Sequence, residues 1–319
     1  MRFASHHRRL CTPTMLAVAL LATAGVARAD TKAIYKQLFD EAAPALVTIK
    51  CVLKVQGSSG AQEQEREFTA LMIEPKGLVL CSSLQLGTSR LYRRMATSIT
   101  PTDIKVLIGD DTEGVEAKFL TSDPELDLSW VEIKTPDEKG YTSLDLSKGV
   151  VPALGDRLLS GRRMDKFFDR AFVVNEGYLG GTTKKPRELL VPTASLEFTQ
   201  TSIGMPVFDD HAAVVGVAVL QSPDPEDEGG TRGSADVLIL PVAEVVKATE
   251  RARTAANEAE EEEEDEEGEE GAAAAKANSN GDAKSNKNAN VNANSNTNAT
   301  SNANASNANA GPEEEEDEE

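Results

Sequence analysis

The spacing of apolar residues changes character twice along the chain. Between Thr31 and Glu41, with Ala42 just beyond, Ile34, Leu38 and Ala42 recur at helical spacing, which predicts a short amphipathic helix. Beyond it the helical period stops. Short β-branched runs bounded by turn residues follow at 45–55, 68–73, 78–81, 104–108, 116–120 and 128–133, and a second set at 157–159, 171–177, 188–191, 206–208, 214–220 and 237–240. Pro75-Lys76-Gly77 and Asp209-Asp210-His211 have the residue types of hairpin turns. The helical period returns over 241–251, where Val242, Val245, Val246 and Ala248 share one face that could pack back on the second set of strands. Two sets of six strands predict an all-β fold of two six-stranded antiparallel barrels with short N- and C-terminal helices.

The two ends of the chain read differently. Arg2, Arg8 and Arg9 precede an apolar run from Met15 to Val26, and Ala27-Arg28-Ala29 offers small residues for cleavage before Asp30. Residues 1–29 therefore read as a signal peptide, which predicts export to a periplasm or beyond and no membrane anchor after cleavage. From about 254 the alternation gives way to a Glu run, an Asn/Ala/Ser stretch and a final acidic segment after Pro312. Such composition lacks the apolar groups to offset the entropy of ordering, so 254–319 is expected to be a disordered tail, with room for some helix at its start. The folded part is then 30–253, with the first barrel over about 44–145 and the second over about 150–245.

Charge narrows the partners. The net charge of −20 is largely carried by 257–319, where 19 acidic residues stand against three lysines. The barrels are also acidic, which disfavours nucleic acid, whose binding depends on Lys and Arg neutralising phosphates. Two cysteines remain after the signal peptide, Cys51 and Cys81. In an oxidising compartment they are candidates for a disulfide, and equally for two small buried residues on separate strands.

Four stretches in this order resemble the protease domain of the HtrA/Deg serine proteases, which are trypsin-like. Ala43-Pro44-Ala45-Leu46-Val47-Thr48-Ile49 is similar to that family's opening strand. The stretch from Ala70 to Leu80 is similar to its first hairpin, and Ser122-Asp123-Pro124-Glu125-Leu126-Asp127-Leu128 to the turn that supplies the triad aspartate. Gly204-Met205-Pro206-Val207-Phe208, followed by Val214-Val215-Gly216-Val217, is similar to its nucleophile region. The resemblance spans Ala43 to Ala248 and implies a trypsin-like double barrel. Nothing resembling a PDZ domain follows it.

The resemblance also supplies a test of chemistry. A serine protease needs a hydroxyl nucleophile, an imidazole to take its proton and main-chain N–H groups for the oxyanion. Leu84 stands at the place implied for the histidine and Ile203 at that of the serine, and neither side chain can do the chemistry. Asp127 alone matches. Without an imidazole to orient, it is expected to be structural, hydrogen-bonded to its own turn or to a neighbouring serine. A one-residue slip would put Ser202 at the nucleophile position, but His211 is the only imidazole after the signal peptide and falls in an expected turn. There is no phosphate loop, dinucleotide fingerprint or His/Cys cluster at metal-ligand spacing, so neither a cofactor nor a metal is expected.

The reading that follows is a catalytically inactive trypsin-like domain binding a peptide or protein partner, with Leu84 and Ile203 making the cleft floor more apolar. A residual serine endopeptidase is the main alternative. A tail acting as a weak cation-binding or solubilising element is the second.

Overall fold

The computed structural model describes residues 31–57, 60–94, 98–194, 201–222 and 235–259. The expectations for 1–29 and for 260–319 lie outside the described residues.

Among the described residues twelve strands form two closed antiparallel barrels of six strands each, the expected fold class. The first joins β1 (Leu46–Gly57), β2 (Gly60–Met72), β3 (Leu78–Ser82), β6 (Leu128–Ile133), β5 (Val115–Asp123) and β4 (Ser98–Leu107) in that spatial order. The second joins β10 (Pro206–Phe208), β11 (Val214–Gln221), β12 (Asp236–Pro241), β9 (Leu190–Ala194), β8 (Phe172–Thr182) and β7 (Arg157–Arg163). Each expected run falls within or across one of these strands. The expected turns also form: Gly77 donates to the Glu74 carbonyl at positive φ, and the Asp209 carboxylate accepts the N–H groups of His211 and Ala213.

Strand ends are longer than the apolar pattern suggests. β2 begins at Gly60, eight residues before the run that marks it, and its first seven residues are exposed. They are held by register, Gly57 opposite Gly60 through to Leu46 opposite Leu71, and not by a buried face. A strand exposed on both sides carries no apolar alternation to read.

The core has three parts. Val47, Ile49, Cys51, Met72, Val79, Cys81 and Val131 fill the first barrel, and Leu158, Leu179, Val207, Val215 and Ile239 fill the second. The largest cluster lies between them, where Leu46, Leu80, Leu128 and Trp130 meet Leu159, Phe208, Val217 and Leu240. β3 shows why its run is unbroken: Leu78 and Leu80 face the other barrel while Val79 and Cys81 face inward, so all five residues are buried. Full burial of each such aliphatic side chain stabilises the fold by about 1.5–3 kcal/mol.

Both terminal helices close this central cluster. The N-terminal helix α1 (Thr31–Gln37) continues into a π-helical turn, Leu38–Ala42, and Ile34, Leu38 and Ala42 are buried as their spacing predicts. The C-terminal helix occupies 242–259 and so extends six residues past the expected end of the domain at 253. It does not rest on the second barrel alone. Thr249 accepts a 3.1 Å hydrogen bond from Nε1 of Trp130 in the first barrel, and Val242, Val245 and Ala248 join the inter-barrel core.

Cys51 and Cys81 are free thiols buried in the first-barrel core. Burial pushes Cys51 up to about 11 and raises Cys81 well above its ordinary value, so both are neutral and packed as small apolar groups.

Candidate functional site

The turn between β5 and β6 places Asp127 in the left-handed region, φ 57°, with its side chain almost completely buried. Three donors converge on the carboxylate. Ser82 Oγ lies 3.0 and 2.9 Å from Oδ1 and Oδ2, the Leu84 N–H reaches Oδ1 at 2.9 Å and the Leu220 N–H reaches Oδ2 at 3.0 Å. Ser82 also caps the short helix α2 (Ser83–Leu86) by accepting the Leu84 N–H. The expected neighbouring serine is therefore Ser82. Desolvation pushes Asp127 up to about 6 against the opposing pull of these hydrogen bonds.

Around this carboxylate the first barrel is lined by hydroxyls. Ser83 Oγ reaches the Leu128 carbonyl at 2.8 Å and Ser129 Oγ at 2.9 Å, and Thr88 meets Ser129 at 2.8 Å. These groups satisfy one another, which is how a polar cluster persists in a barrel wall.

The loop that would carry a nucleophile approaches from the second barrel. Ser202 to Met205 form a tight turn closed by the Met205 N–H on the Ser202 carbonyl, with Gly204 at φ 81°. A Cβ on Gly204 would stand 3.0 Å from the Ser82 nitrogen, so glycine is required both by the turn and by the contact between barrels. Ile203 is half-buried in this turn. Ser202 is fully buried, and its hydroxyl has no hydrogen-bond partner among the described residues.

The fold brings Asp127 and Leu84 into direct contact and sets the turn that carries Ile203 against Ser82 through Gly204. Leu84 meets Asp127 through its main-chain N–H, while Ile203 faces a cavity of about 250 Å³ that also takes in Gln85 of α2. That cavity corrects one expectation. Ile203, Met205 and Phe68 give it apolar lining, but Leu84 does not line it, and four basic side chains do: Arg162, Arg163, Lys166 and Arg170.

These basic residues, all at or beyond the end of β7, carry no motif of their own in the sequence. What signal there is lies in Arg162-Arg163-Met164-Asp165-Lys166-Phe167-Phe168-Asp169-Arg170, where adjacent phenylalanines sit among charges in a chain that is only 4% aromatic.

His211 is exposed in the turn beyond the far end of β10, its Nδ1 2.7 Å from Asp210. Asp209, Asp210 and His211 are the one group of three ligand-type side chains gathered closely among the described residues. Asp209 is already engaged as the acceptor that shapes this turn.

No protein-family model matches the chain, and no curated protein sequence matches it. Among solved structures the chain is similar to Deg5, at 15% identity and a TM-score of 0.47 over 68% of this chain and 92% of that one. It is also similar to the protease domain of MamO from Magnetospirillum magneticum in its apo form, at 15% identity and a TM-score of 0.41 over 64% of this chain and 95% of that one.

Proposed function

We propose that this is an exported, non-proteolytic trypsin-like domain whose inter-barrel cleft binds a peptide or protein partner. The observation that carries this reading is the engagement of Asp127. In a working triad the carboxylate accepts an imidazole N–H and holds that ring toward the nucleophile. Here its two oxygens face Ser82, the Leu84 N–H and the Leu220 N–H, and the residue at the place implied for the imidazole is a leucine.

The nucleophile side supports the same reading. Acyl transfer needs a hydroxyl within reach of a base. Ile203 has no hydroxyl, Ser202 is sealed from solvent, and His211 stands in an exposed turn at the other end of β10. Binding makes lighter demands. An extended segment can be held in a cleft by main-chain hydrogen bonds and side-chain pockets without any catalytic group. Export is supported by the basic, apolar and small-residue order of 1–29.

The test is a fluorophosphonate probe and a casein-digestion assay on the purified mature chain. Neither labelling nor cleavage is expected. Labelling and cleavage that both disappear in Ser202→Ala would overturn the reading in favour of a residual serine endopeptidase.

A further inference from the structure

This inference deepens the binding reading above and rests on it. The connection from β7 to β8 is rigidly made. Asp165 accepts the Phe167 N–H at 2.8 Å to cap the 3-10 turn Lys166–Phe168, and Asp169 and Arg170 then take positive φ. Arg163 fastens the connection to the start of the first barrel, donating to the carbonyls of Leu46 at 2.6 Å and Ala43 at 2.9 Å. Glu67 on β2 draws in Arg170 at 3.3 Å and Lys166 at 3.8 Å.

Arg162 takes no part in this fastening. Its side chain lines the cavity, Nε is buried, and it has no hydrogen-bond or ion-pair partner among the described residues. From the first barrel, Oε1 of Gln85 lines the same cavity, also buried and also without a donor among the described residues. Four basic and two acidic side chains border the space, so its charge is positive within a domain that is negative overall. Buried polar groups are ordinarily paired, and each unpaired one is destabilising until a partner arrives. A ligand offering a carboxylate to Arg162 and an N–H to Gln85 would relieve both. An acidic residue in an extended peptide has both groups on one residue or on neighbouring ones.

The loop beside the cavity presents apolar surface. Phe167 is 85% exposed and Phe168 53%, their rings edge to face at 5.1 Å. Exposed aromatic surface next to unpaired arginine is the composition of an interaction site, since Arg and aromatic residues dominate binding energy at protein interfaces. We propose that this cavity binds an extended acidic segment of a partner protein, Arg162 pairing with an Asp or Glu carboxylate, Gln85 accepting a main-chain N–H and Phe167 covering an apolar neighbour.

The test is fluorescence anisotropy on the full mature chain, using a short fluorescein-labelled peptide with a central Glu-Leu pair and its Gln-Leu counterpart. The Glu peptide should bind about tenfold tighter or more, as a charge-assisted hydrogen bond implies. Arg162→Gln should equalise the two peptides without lowering the melting temperature, Gln85→Leu should weaken both, and Lys148→Gln on a remote surface should change nothing. Equal binding of both peptides to the unaltered chain, or a preference that survives Arg162→Gln, overturns the proposal. So does a short single-stranded DNA that competes as well as the Glu peptide, since bare negative charge would then suffice. Equal binding that Ile203→Asp abolishes would leave the cleft as a peptide site and remove only its acidic preference. Failure of both peptides, together with fluorophosphonate labelling, would remove the binding reading itself.

Discussion

Oδ2 of Asp127 accepts the main-chain N–H of Leu220 at 3.0 Å, so a carboxylate on the first barrel holds a strand of the second. The same group holds the Leu84 N–H and the Ser82 hydroxyl on its own side. This carboxylate is an inter-barrel clamp, and its substitutions should read out as stability.

Asp127→Ala would leave the Leu220 N–H and the Ser82 hydroxyl without their acceptor in a buried site, the Leu84 N–H keeping only Ser82 Oγ, so a loss of roughly 2–5 kcal/mol is expected in urea unfolding. Asp127→Asn should recover only part of it, because its Nδ2 must face the N–H of either Leu84 or Leu220. An Asn variant as stable as the unaltered chain would show that the clamp is not acting through two accepting oxygens.

The clamp also carries a pH dependence of defined sign. With its folded value raised from 3.8 to about 6, Asp127 binds its proton more firmly in the folded chain than in the unfolded one. Its contribution to stability is therefore full below about pH 4 and is lost as pH rises through 6, on the order of 3 kcal/mol. The Ser82 hydroxyl, within 3.0 Å of both oxygens, can reverse and accept from the protonated form. Measured against Asp127→Ala, the stability advantage of the unaltered chain should shrink between pH 4 and 6. An advantage that grows over that range would show the carboxylate held below, not above, its ordinary value.

Gly204→Ala places a Cβ at φ 81° and 3.0 Å from the Ser82 nitrogen. Left-handed strain alone costs about 1–2 kcal/mol, and the close approach adds to it. The variant should melt several degrees lower, whereas Gly57→Ala, with open space around it and no positive φ, should melt near the unaltered chain.

Thr249→Val preserves shape but removes the acceptor for the indole N–H of Trp130. A buried donor left unpaired costs roughly 1–3 kcal/mol, and the Trp130 fluorescence should report the change, since it is the only tryptophan. An unchanged unfolding midpoint would show that the C-terminal helix is held by apolar packing alone.

Cys51 and Cys81, neutral and buried, should resist a thiol reagent at pH 8 in the folded chain and react fully in denaturant. Fast labelling under native conditions would mean that the first barrel opens readily.

Much of this architecture is legible along the chain, because its signals are local. The runs that became β1 to β12 are visible since each must bury at least one face, and Gly77 and Asp209 mark turns through their own backbone and side-chain chemistry. The pattern failed at 60–67, where both faces of the strand are wet, and it blurred at 254–259, where the helix runs on through small and polar residues with only Ala256 buried. Leucine at 84 and isoleucine at 203 are facts of sequence, as is a carboxylate at 127.

What those residues join was decided only in three dimensions. An apolar period says that Leu80 is buried, not that it is buried against the second barrel beside Leu240. A lone aspartate predicts a hydrogen-bond partner without saying that one partner would be Leu220, 93 positions away, across the barrel interface. Gln85 and Arg162 carry no common signal, because the cavity they share exists only once two closed barrels are pressed together. Burial and turns are written in neighbouring residues; a cleft between two barrels depends on contacts between residues far apart in the chain.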